Sequence, residues 1–193
     1  MILISIQPFA LKKMLALGAA LVCLSTASCF AASMLLSVDS TPYDRQMNRI
    51  RPILTSSTAG GGQNVSVLIV NHWMEDLREI PYGFQMEWKT PEEVETRQPA
   101  DCKGKALALY QRMLSNGAKN VSLVIGKRAP GSRMTHAWVV WEANGESYVL
   151  DPTFNWMACR AEQVGKRSYV PFYAYSGTKK YRAADSAELL AKN

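Results

Sequence analysis

Two histidines, His72 and His136, and four cysteines, Cys23, Cys29, Cys102 and Cys159, form a small pool for acid-base or thiol chemistry in this 193-residue sequence. Any histidine-dependent site must use one of two positions. His136 lies near the start of an apolar stretch, Thr135 to Glu142, and Asn144-Gly145 behind it is a strong two-residue hairpin signal. The chain then returns as a second strand from Glu146 to Asp151. That turn sets Ala143 opposite Glu146 and Asp151 opposite Trp138. Side-chain alternation places His136, Trp138 and Val140 on one face with Asp151, Val149 and Ser147, and makes His136 and Asp151 diagonal neighbours about 7–8 Å apart at the backbone. From there a carboxylate can accept the imidazole proton, and a histidine oriented by a carboxylate is the base half of a nucleophilic triad.

Asp101-Cys102 opens a helix in which Ala106, Leu109, Tyr110 and Met113 recur at helical spacing, and Asn116-Gly117 stops it. A cysteine at a helix N-terminus meets the positive end of the macrodipole and unpaired N–H groups, conditions that favour thiolate over thiol. Lys103 and Lys105 add positive charge. The same N–H groups, that of Cys102 included, are placed to hold an oxyanion. Nucleophile, base and orienter thus follow one another along the chain. His72, by contrast, falls on or beside an apolar stripe of Val65, Leu68, Ile69, Trp73, Leu77 and Ile80, and is expected to be a partly buried packing residue. For Cys102 and Cys159 the alternative to chemistry is a structural disulfide.

The elements that must carry these residues begin after an export signal. Lys12 and Lys13 precede an uncharged run from Met14 to Ala32, apolar first (MLALGAALVCL) and small afterwards (STASCFAAS), the pattern of a secretory signal cut after Ala31 or Ala32. Its apolar part, about 11 residues, falls short of the ~20 that span a bilayer, so an uncleaved anchor is the weaker alternative. A lipoprotein attached through Cys29 is weaker too, because Thr-Ala-Ser before it lacks a large aliphatic residue. Cleavage removes Cys23 and Cys29 and leaves 20 basic against 16 acidic residues, a net charge of +4 instead of +6. The charges are dispersed, with no Lys/Arg block, so no nucleic-acid partner is expected; once the signal is cleaved no stable membrane insertion is expected either. Oligomeric state is left open. At 48% apolar and 20% charged residues the chain is an ordinary globular one, of a length suited to one domain.

Four segments follow: the signal over 1–32, an N-terminal helix and connector over 33–63, a main domain over 64–182, and a C-terminal helix or tail over 183–193. Thr41-Pro42 predicts a helix through about Arg51, residues 56–62 (SSTAGGG) a flexible connector, and Asn64 the start of the striped helix. Tyr82 to Lys89 reads as a short strand or extended segment, and Thr90-Pro91-Glu92-Glu93 as a capped helix start. Val121 to Gly126 is a strand, Tyr169 to Tyr175 suggests another, and a helix is expected from about Ala183. The basic loops Lys127 to Met134 and Phe154 to Arg167 are expected to wall a cleft.

Together these motifs resemble a known family. Asp101-Cys102-Lys103-Gly104-Lys105-Ala106 resembles the nucleophile motif of the transglutaminase-like superfamily, His136-Ala137-Trp138-Val139 its histidine strand and Leu150-Asp151-Pro152-Thr153 its aspartate strand. They occur in the family's order, 34 and 15 residues apart. Trp88-Lys89-Thr90-Pro91-Glu92-Glu93 further resembles bacterial transglutaminase-like cysteine proteinases. The resemblance covers about residues 64 to 155. It implies a papain-like α+β fold, with the nucleophile helix packed on a small antiparallel sheet. Carried onto this chain, Cys102 is the nucleophile, His136 the general base and then acid, and Asp151 its orienter. Gln85 and Trp88 are candidates for an upstream oxyanion donor. In the calcium-dependent periplasmic members that process adhesins, acidic residues follow the cysteine; here Lys103, Gly104 and Lys105 do, and no metal or other cofactor is expected. No CxxC occurs, and the two histidines are 64 residues apart. The implied activity is that of an exported, periplasmic cysteine peptidase or amidase acting on a protein or peptide. A protein-glutamine acyltransferase or deamidase working through the same thioester is the alternative. A non-catalytic binding module is the third, which a Cys102–Cys159 disulfide would favour.

Overall fold

A helix buried on nearly every side sits at the centre of the chain. The computed structural model describes residues 35–56, 65–165 and 167–184. Within them α4 (Cys102–Ser115) has 10 of its 14 residues buried, the signature of a helix enclosed rather than laid on a surface. One of its sides meets the sheet, and the other meets α2 (Val67–Glu79) and α3 (Pro91–Glu95).

The sheet has seven antiparallel strands: β1 (Leu35–Val38), β2 (Val121–Lys127), β3 (His136–Ala143), β4 (Glu146–Leu150), β5 (Cys159–Arg160), β6 (Val170–Ser176) and β7 (Lys179–Ala183), in the spatial order β1-β7-β6-β2-β3-β4-β5. The β3–β4 hairpin has the expected register, with Ala143 opposite Glu146 and Val139 opposite Leu150. Its turn residues Asn144 and Gly145 both take positive φ, 53° and 79°, which matches the right-handed strand twist. Ala137, Val139, Trp141 and Leu150 join the core shared with α4. Trp138, Val140 and Val149 point to a smaller cluster on the far face with Tyr169 and Ala174.

Local chemistry fixes the helix ends. In α3 the Thr90 side chain accepts from the Glu93 N–H while the Glu93 carboxylate accepts from the Thr90 N–H, a capping box with Pro91 in the first turn. After α4, Gly117 takes φ 87°, and the N–H groups of Ala118 and Gly117 return to the carbonyls of Met113 and Leu114, at 2.9 and 3.0 Å.

Several expectations are corrected. The Thr41 hydroxyl pairs with Asp44 and with the Tyr175 hydroxyl (2.6 Å), so residues 42–47 form turns instead of a helix. A 3-10 turn (Asn48–Ile50) and α1 (Arg51–Leu54) come later. On α2 the buried residues are Val70, Met74 and Leu77; Leu68 and His72 are exposed. The sequence VLIVNHWM satisfies two overlapping helical stripes, and contact with α4 selects between them. His72 is therefore not a packing residue. Of the two readings for residues 82–89, the extended segment holds and the strand does not; a single bridge pairs Tyr82 with Ala100. The edge strands β1 and β5, and β7 next to β1, had no expectation behind them; β1 adds the N-terminal segment to the sheet, and Met47, Ile50 and Leu54 add it to the main core. Ala183 ends β7, and the C-terminal helix or tail expected from about there falls on residues 185–193. The signal segment, most of the Gly/Ser-rich connector and residues 185–193 lie outside the described residues. Among those described, no helix is long and apolar enough to cross a membrane.

Candidate active site

Asp101 sets the start of α4. It is 2% exposed, and its Oδ1 accepts the N–H groups of Lys103 (3.1 Å) and Gly104 (3.2 Å), the N-cap that the first turn needs. Cys102 follows as the first helical residue, 8% exposed. The cap also changes two expectations about the thiol. Two of the N–H groups proposed for an oxyanion are already bonded to Asp101, leaving that of Cys102 as the terminal donor the carboxylate does not claim. Neither neighbouring lysine offers the thiol an unpaired charge. The Lys103 ammonium pairs with Asp101 and donates to the Gln85 carbonyl at 2.9 Å. Lys105 is 2% exposed, and its Nζ donates to the carbonyls of Ile80 (2.5 Å) and Arg78 (3.4 Å), where it caps the C-terminal end of α2. Burial, then repulsion from Arg78, lowers the pKa of that ammonium, with the charge of Asp151 opposing.

The hairpin delivers the other two groups. His136 Nε2 lies 2.8 Å from Asp151 Oδ2, and both side chains are almost wholly buried. Burial alone would pull the imidazole pKa down. Hydrogen bonds to Asp151 and Cys102, with the charges on both, outweigh it and raise it to about 9. Because Asp151 uses Nε2, the nitrogen left for Cys102 is Nδ1.

Asp151 is fully engaged. Its Oδ1 accepts the backbone N–H groups of Thr153 (2.9 Å) and Phe154 (3.3 Å), and its Oδ2 accepts, besides His136, the Tyr169 hydroxyl at 2.8 Å. Tyr169 was not foreseen. It precedes β6 with φ 55°, a left-handed conformation uncommon for an aromatic residue, and its ring stands edge-on to Trp138 at 5.3 Å. Burial and the Asp151 charge push the phenol pKa up, which keeps it a donor at any ordinary pH. The Phe154 ring packs beside the imidazole, with ring centres 5.3 Å apart.

Cys102 and His136 open onto one cavity of about 630 Å³. Its opposite wall is the extended segment with Phe84, Gln85, Met86 and Trp88, and Met134 contributes from the basic loop. Both oxyanion candidates therefore face the same space as the thiol. Gln85 is held through its backbone, its N–H donating to Asp101 Oδ2 at 3.3 Å. Trp88 is 1% exposed, and its indole N–H is buried without a partner among the described residues. Among the described residues Cys159 pairs with no other cysteine; its thiol donates to the Met157 carbonyl at 3.6 Å and accepts from Asn155 at 3.7 Å. Cys102 and Cys159 are not bonded to each other.

No family model matches the chain, and no curated protein does. Its fold is nonetheless transglutaminase-like. It is similar to Legionella pneumophila LapG, at 14% identity and a TM-score of 0.53 over 78% of this chain and 84% of that one. An EGTA-treated form of the same protein matches with the same identity and score, over 78% and 86%. A calcium-bound form matches at 13% identity and a TM-score of 0.51, over 79% and 91%.

Proposed function

We propose that this chain is an exported cysteine peptidase or amidase in which Cys102, His136 and Asp151 act as a triad. The observation that carries this reading is the convergence of the three groups. His136 is hydrogen-bonded to Asp151 at 2.8 Å on one side and partnered by Cys102 on the other, at the wall of a cavity large enough for several residues of a peptide. Likeness to LapG supports the scaffold, and the pattern of residues 12–32 supports export to the periplasm.

With a pKa of about 9 the imidazole is protonated at neutral pH, opposite the sulfur. The thiolate attacks the amide carbon, and the electron pair of the C=O moves onto oxygen. As the tetrahedral intermediate collapses, the imidazolium passes its Nδ1 proton to the leaving nitrogen and the C–N bond breaks, leaving a thioester. The neutral imidazole then takes a proton from the water that attacks the thioester, and collapse of the second tetrahedral intermediate breaks the C–S bond, releasing the acid and restoring the thiolate–imidazolium pair. The Cys102 N–H and the indole N–H of Trp88 are the donors available to the oxyanion. Asp151 holds the ring with Nε2 toward itself and stabilises its charge. That Cys102 and Cys159 are not bonded to each other favours this reading over a binding module closed by a Cys102–Cys159 disulfide.

The test is alkylation by iodoacetamide at pH 6, with Cys159 replaced by Ser. Cys102 should react far faster than a model thiol; an equal rate would end the proposal. Incubating the mature protein and a Cys102→Ala variant with envelope extract then distinguishes new N-termini from released ammonia.

A further inference from the structure

Beside the nucleophile, the carboxylate of Asp101 and the carbonyl oxygen of Gln85 converge as hard oxygen donors of the type that hold cations. A structural neighbour was solved both calcium-bound and EGTA-treated, so a divalent ion is the obvious occupant to consider. The residues of this chain do not fit one. Oδ1 of Asp101 is bonded to two helix N–H groups, and Oδ2 to the Gln85 N–H and the Lys103 ammonium. Lys103, Gly104 and Lys105, which follow Cys102, contribute no side-chain oxygen. Among the described residues no three His, Cys, Asp or Glu side chains gather as a metal site.

The ammonium itself fills the cradle. It reaches Asp101 and the Gln85 carbonyl together, and lies 5.2 Å from the centre of the Phe84 ring. With its side chain 21% exposed and that of Asp101 2%, the pair is partly withdrawn from water, where an ion pair holds geometry better than at the surface. Gln85 is thereby gripped at both backbone groups. Elsewhere the wall is tied near its ends, by the pairing of Tyr82 and Gly83 with Ala100, by Arg49, which donates to the Trp88 carbonyl at 3.3 Å, and by Lys89, which donates to the Pro99 carbonyl at 2.8 Å.

We propose that the Lys103 ammonium is a cation built into the chain that locks the wall carrying Phe84, Gln85 and Trp88 onto the N-cap of α4, so that the site assembles without a divalent ion. Lys103 is a positioning residue in this scheme. The lock rests on the peptidase reading only in that its wall faces Cys102.

Amide hydrogen exchange at Gln85, followed by NMR on the mature chain, tests it. Exchange should be the same in EGTA and in millimolar calcium, and about tenfold or more faster in Lys103→Met. Lys103→Arg, which keeps the charge, should retain most of the protection. The lock is overturned if calcium slows exchange in the wild type, or if Lys103→Met exchanges like the wild type. Calcium calorimetry on the wild type needs no variant to fold, and stoichiometric binding there would overturn it as well. Iodoacetamide alkylation on the same samples reports separately on the thiol: an unreactive Cys102 would end the peptidase reading, while Gln85 exchange would still decide the lock.

Discussion

The two walls of the cavity are built on different principles. The β3–β4 hairpin holds His136 and Asp151 through a regular ladder with a turn of defined twist, so the position of each side chain follows from register. The facing segment, residues 82–89, has one bridge and is otherwise held by the buried Trp88 ring, by Lys89 on the Pro99 carbonyl, and by side chains reaching its backbone from Lys103, Asp101 and Arg49. A ladder distributes the cost of one lost contact over many bonds, whereas a tethered segment loosens at the tether. In the proposed reaction the proton path runs along the first wall. The second wall carries Trp88, the candidate oxyanion donor, and the exposed apolar side chains of Phe84 and Met86.

Asp151→Asn should break this comparison most severely. The amide donates where the carboxylate accepted and reverses the imidazole tautomer, so turnover should fall by about 10³–10⁴-fold with the fold retained. A loss below tenfold, with unchanged circular dichroism, would remove Asp151 from the mechanism. Trp88→Phe comes next: it keeps most of the ring and deletes the unpartnered N–H, and should cost about 10²–10³ in kcat with little change in KM. A change within threefold would leave Trp88 as packing and the second wall without a catalytic donor.

Titration separates the walls further. The folded pKa of His136, about 9, lies above the ordinary value of 6.5. Its charged pairing therefore stabilises the fold fully below pH 6.5 and is lost as pH rises through about 9. Thermal melts across that window should show Tm falling, and in Cys102→Ser the NMR midpoint of His136 should move down because one of its supports is gone. A midpoint unmoved by that substitution would place the thiol out of reach of the ring. The smallest effect is expected from Tyr169→Phe, which deletes one hydrogen bond to a carboxylate that keeps three other donors. About 1–3 kcal/mol of stability and less than tenfold in kcat should be lost, read by denaturant melts and steady-state rates. A larger rate loss would make the phenol a full partner of the hairpin.

The hairpin was legible because Asn-Gly fixes both the turn and the register, and register fixes faces. Thr90 and Glu93, and Asp101 before Cys102, were legible as caps because capping depends on neighbours three residues away. The striped helix failed at His72 for the opposite reason, since local spacing allowed two apolar faces and only packing against α4 chose one. Tyr169 gave no signal at all: its hydroxyl meets Asp151 across 18 residues, through a left-handed backbone that nothing in the local sequence demands.

The sequence by itself determined which groups are available to react, where α4 begins and how β3 and β4 pair, because each of these rests on contacts between near neighbours in the chain. Tertiary structure decided that the lysine charges go to Asp101 and to backbone carbonyls instead of the thiol, that the indole N–H of Trp88, like that of Trp138, is left without a partner among the described residues, and what fills the cation cradle. Those outcomes depend on segments that meet only when the sheet, α4 and the extended wall close around one another, where burial makes each unpaired polar group costly.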